Sequence, residues 1–108
     1  MSSPSAAEIA QTAYSRLVAY IACRLETEAG QMLLAKDSEA GGKLASYFET
    51  MRTANLGMVA VAAKLGYMSD EFVRQKFIDK LRAAGVPIEE EEERFVYDCL
   101  AIVREALA

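Results

Sequence analysis

Residues 43–65 read Lys43-Leu44-Ala45-Ser46-Tyr47-Phe48-Glu49-Thr50-Met51-Arg52-Thr53-Ala54-Asn55-Leu56-Gly57-Met58-Val59-Ala60-Val61-Ala62-Ala63-Lys64-Leu65, with Gly66 directly after. Within them Leu44, Phe48, Met51, Asn55, Met58, Ala62 and Leu65 recur at alternating steps of four and three. That heptad period belongs to a helix and not to a strand. The pattern predicts one helix over 43–65, stopped by Gly66 at its C′ position. Gly57, close to the seam, would permit a close helix approach. Asn55 is the polar entry in an otherwise apolar seam, and a buried amide is costly unless it is hydrogen-bonded. Either it bonds within the monomer, or it pairs with its counterpart in a second copy and sets the register of a homodimer through the 43–65 helix. Met51 and Met58 flank it, and flexible thioethers suit an adaptable protein-binding surface as well as a core.

The helical period extends to both sides of this segment. Upstream, Ser5-Ala6-Ala7-Glu8 is a capping-box signature that opens a helix expected over 5–35. Its stripe reads Tyr14, Val18, Ile21, Leu25, Ala29 and Met32, with Gly30 either ending the helix or tolerated inside it. Lys36 to Gly42 form the expected break. Downstream, Ser69 caps a helix over 69–84 with stripe Val73, Phe77, Leu81 and Ala84, and Gly85 stops it. Val86-Pro87-Ile88 is a short connector. A last helix over 88–107 opens with Glu89–Glu93 and carries Phe95, Val96, Cys99, Ile102, Val103 and Ala106 as its stripe. Four helices with short loops predict an all-α, single-domain antiparallel four-helix bundle or a similar helical bundle over 1–108. Residues 1–4 are expected to be disordered.

Composition narrows the function. The 108 residues suit one domain, and 53% are hydrophobic, a share swollen by 19 alanines. Sixteen acids against 12 bases give a net charge of −4. With no histidine in the chain, no Ser-His-Asp triad, Cys-His pair or His-ligated metal is available. No enzyme, metal or cofactor is expected. The longest charge-free stretch, Thr53 to Ala63, is too short to span a bilayer, and the N-terminus has no secretory signature. A cytoplasmic location follows as the expectation, with no membrane partner.

Four further features bear on chemistry. Gly41-Gly42-Lys43 fails as a phosphate loop, because Asp37 and Leu44 occupy the positions of the first glycine and the hydroxyl. Cys99 lies mid-stripe and should be buried. Cys23 lies off the stripe, near Arg16, and is a weak candidate for a reactive thiol. Glu89, Glu90, Glu91, Glu92 and Glu93 fan around the start of a helix, where acids favour the macrodipole. They also offer a docking surface to a partner with a basic face.

The segment Val61 to Arg74 resembles a helix-turn-helix, with Ala62, Gly66 and apolar residues at Leu65, Tyr67 and Phe72. The resemblance implies a DNA-binding regulator using residues 61–82, with a recognition helix opening at Ser69. Asp70 and Glu71 at that opening would repel phosphates, so nucleic acid is not the expected partner. A continuous basic face over Arg74, Lys76, Lys80 and Arg82 would favour it. The expected function is that of a small acidic protein-binding module, an inhibitor or immunity-type protein or an assembly or secretion chaperone. Its expected contact residues are Met51, Asn55, Met58 and Glu89–Glu93.

Overall fold

Local capping chemistry sets most of the helix boundaries. A computed structural model of the chain describes residues 3–37 and 43–108, all of them helical or in connecting turns. The elements are α1 (Ala6–Leu25), α2 (Glu28–Asp37), α3 (Lys43–Thr53), α4 (Leu56–Lys64), α5 (Asp70–Val73), a π-helical turn (Arg74–Ile78), α6 (Asp79–Ala83) and α7 (Glu90–Leu107). The chain folds as an all-α helical bundle. Residues 1–2 of the expected disordered terminus lie outside the described residues. So do residues 38–42 of the expected break, including Gly41 and Gly42. Among the described residues, no helix is long and apolar enough to cross a membrane.

Several expected boundaries are found where the sequence places them. Ser5 Oγ accepts from the Glu8 amide at 3.2 Å, and Ser69 Oγ from the Phe72 amide at 3.1 Å. Gly66 and Gly85 adopt positive φ, 86° and 95°, which only glycine enters without strain. Each ends its helix in a Schellman motif: the Tyr67 amide reaches the Ala62 carbonyl, and the Val86 amide the Leu81 carbonyl, both at 2.9 Å.

Two expected helices are each divided. The first stops at Leu25, and Thr27 starts α2: its Oγ accepts from the Gly30 amide at 3.1 Å and donates to the Arg24 carbonyl at 2.7 Å. Gly30 neither ends a helix nor is merely tolerated. A Cβ there would lie 2.7 Å from Leu25 Cα, so the backbones of α1 and α2 meet at this glycine. The helix expected over 43–65 breaks at Ala54-Asn55, and Asn55 caps α4 by accepting the Met58 amide on Oδ1 at 2.9 Å. The seam is therefore not one stripe, and Asn55 is an exposed N-cap and not a buried register residue. Its Oδ1 is satisfied locally, and the continuous 43–65 helix on which its pairing with a second copy was expected does not form. Gly57 makes no close helix contact either; a Cβ there would meet only Asn55 Oδ1.

The core lies between α1 and α7. These helices run antiparallel, with Tyr20 against Phe95 and Arg24 bonded to Glu92. Leu17, Ile21 and Leu25 on α1 pack with Val96, Leu100 and Val103 on α7, joined by Val73, Phe77, Ile78 and Leu81. Cys99 is buried and Cys23 exposed, as their stripe positions imply. Met32, Phe95 and Ile102, expected inside, are exposed. The break at residue 26 takes Met32 out of phase, while on α7 the buried stripe runs through Leu100 instead.

Candidate functional site

Helix α4 reads Leu56-Gly57-Met58-Val59-Ala60-Val61-Ala62-Ala63-Lys64, apolar on every side up to its last residue. Such a helix needs cover all round. Here only one side has it: Val59 is buried, whereas Met58, Val61, Leu65 and Tyr67 keep 50, 58, 64 and 47% of their surface exposed. These side chains form one flank of an apolar groove of about 1040 Å³.

The helix break builds the groove. The Asn55 cap turns the chain, so that α3 and α4 form one wall and α5 with the π-turn forms the other. Tyr14 Oη reaches from α1 to the Met51 carbonyl at 2.7 Å, where the end of α3 supplies only a longer bond, 3.4 Å from the Ala54 amide. The floor is Leu44, Val59, Val73, Phe77 and Leu100. Tyr47 packs on Phe77 and Phe72, with ring centroids 5.1 and 6.0 Å apart, and Tyr67 packs on Phe72 at 5.2 Å. Burial pushes the Tyr14 and Tyr47 phenols up to about 12, each helped by a neighbouring tyrosine, Tyr47 and Tyr67 respectively. Both therefore stay neutral at any physiological pH.

In the π-turn the Asp79 amide bonds the Arg74 carbonyl, five residues back. The widened turn buries two successive side chains, Phe77 and Ile78. Such turns recur at functional sites. Lys76 of this turn and Lys80 of α6 line the groove and stand exposed. They are the ionised side chains in the lining, which contains no carboxylate among the described residues.

The structure brings Met51, Asn55 and Met58 together in this lining. Glu89–Glu93 are not part of it. Glu92 pairs with Arg24 and accepts the Glu89 amide in a capping box. Glu93 accepts Tyr97 Oη at 2.6 Å and Arg82 at 3.1 Å, and these bonds, the tyrosine's first, hold its carboxyl below the ordinary range. Both carboxylates thus tie α7 to its neighbours. Glu89, Glu90 and Glu91 remain exposed.

The helix-turn-helix corner is present, with α4, Gly66 and α5 in sequence. Arg104 of α7 pins it by donating to the Met68 carbonyl at 2.6 Å and to Asp70 at 3.1 Å. The four cations whose continuous basic face would favour DNA divide, however. Arg82 is bonded to Glu93 and the Ile88 carbonyl, and Arg74 lies on that same acidic side. Lys76 and Lys80 line the groove.

Sequence reasoning missed Tyr47, Val61, Tyr67, Lys76 and Lys80 as groove residues. The readable signal was the all-round apolar character of 56–63. A scan against protein-family models finds no match, and neither the curated proteins nor the solved structures contain one.

Proposed function

We propose that the protein is a non-enzymatic binding module that holds a helical segment of a partner protein in the groove between α3–α4 and α5. The observation that carries this reading is the open apolar face of α4, which leaves Met58, Val61, Leu65 and Tyr67 without cover. Large exposed apolar patches rimmed by polar groups mark interaction sites. An amphipathic helix fits a long groove by inserting residues at i, i+3, i+4 and i+7. Met51 and Met58 in the lining supply the adaptable surface such binding uses. A module of this kind acts as an inhibitor by occupying its partner's helix, or as an assembly chaperone by shielding it until assembly.

The test is selection of a displayed library of helical peptides on the full chain, with a Val61→Asp/Leu65→Asp variant as the comparison. Enriched peptides should share the helical apolar spacing and lose binding to the variant. Enrichment that ignores the variant, or none at all, would refute the reading.

A further inference from the structure

We infer that the segment taken up by the groove is an acidic amphipathic helix, with carboxylates on the flank that faces Lys76 and Lys80. This inference rests on the docking reading above and adds the partner's charge and the placement of its acidic flank. Three observations carry it. The chain is acidic overall, with net charge −4, yet the ionised groups lining its groove are two lysines. Lys76 and Lys80 are exposed and make no ion pair among the described residues, so their charges are open to an incoming group. The opposite wall presents neutral polar groups at its edge, Ser46, Thr50 and Asn55.

An incoming apolar ridge displaces water from the lysine wall. The ammonium groups then need an anionic complement to offset lost hydration. A helix with carboxylates four residues apart on one flank supplies two, because residues i and i+4 are neighbours on a helix surface. A basic helix would meet like charge at the same place, so the two lysines select against it while adding modest affinity. The placement of the acidic flank follows as well, since the described lining residues of α3 and α4 carry no charge.

Two designed peptides of roughly 14 residues, long enough to run about 20 Å as a helix, test this on the full chain. Both carry leucines at helical spacing; one has glutamates on its flanks and the other lysines. Affinity is read by fluorescence anisotropy at low and high salt. The glutamate peptide should bind about tenfold more tightly at low salt, with the gap narrowing as salt rises. Lys76→Glu/Lys80→Glu should invert the preference, and Lys76→Gln/Lys80→Gln should shrink it, with circular dichroism confirming that each variant is folded. Equal binding of both peptides would overturn the charge assignment and leave the docking reading standing. So would a preference that survives charge reversal. Binding of neither peptide would overturn both readings, and saturable uptake of oleate in that case would identify a small anionic amphiphile as the occupant.

Discussion

Tyr14 Oη donates a 2.7 Å hydrogen bond to the carbonyl of Met51, so one phenol of the α1 core holds the end of α3 that walls the groove. Tyr14→Phe keeps the ring and removes the donor. The Met51 carbonyl then loses its shorter bond and keeps the 3.4 Å one from the Ala54 amide, at a cost of about 1 kcal/mol. A lower urea midpoint is expected, with faster amide exchange in α3 than in α7. Exchange that rises equally in both helices would show that the bond supports the whole fold and not the groove wall.

Stability should fall at high pH. Burial pushes Tyr14, Tyr47 and Tyr97 up to about 12, and the Glu93 carboxylate reinforces this at Tyr97. A raised folded pKa means that the fold favours the neutral phenol. That contribution is complete below the unfolded value of 10, and is lost as pH climbs from there through 12. Phenolate absorbance should show Tyr14, Tyr20, Tyr47 and Tyr97 titrating later in the native protein than in the unfolded chain. In urea all five should titrate together near 10, and native melting temperatures should drop over the same interval.

Asn55 is a cap, and its variants should behave accordingly. Asn55→Ala removes the acceptor of the Met58 amide and should cost about 1 kcal/mol. Asn55→Asp keeps the acceptor and adds a favourable charge at the start of α4, so its stability should stay near wild type. Sedimentation should be unchanged in both. A change in oligomeric state with Asn55→Ala would revive the idea that this amide faces a second copy.

What was legible in the sequence was local. Ser5, Ser69, Gly66 and Gly85 set helix ends through bonds within a few residues of themselves, and each is found in that role. The two breaks were also local in chemistry but hidden by periodicity. Heptad spacing carried the reading straight through Asn55, although asparagine is a preferred N-cap. Gly30 was ambiguous for another reason: its need for a bare Cα arises where α2 turns back on Leu25, a contact made only after the turn exists. The groove was the least legible. Lys76 and Tyr47 stand on separate helices, and no spacing along the chain announces that a π-turn and a helix break bring them to one cavity.

Two valines on α4 provide the sharpest check on the groove itself. Val59 is 3% exposed and faces the core, whereas Val61, two residues on and about 200° round the helix, lies open in the groove with Leu65. Val59→Ala removes buried methyl groups and should cost about 1–3 kcal/mol. Val61→Ser and Leu65→Ser remove side chains already in contact with water, and surface changes of that kind stay within about 0.5 kcal/mol. The pattern of an apolar dye's fluorescence should be the reverse. It should survive Val59→Ala in the folded protein and weaken with Val61→Ser/Leu65→Ser, because the dye needs the exposed wall. Urea midpoints and dye titrations on the same samples separate the two effects. If Leu65→Ser instead cost as much as Val59→Ala, Leu65 would have to be covered in solution, and an open groove could not be the binding surface.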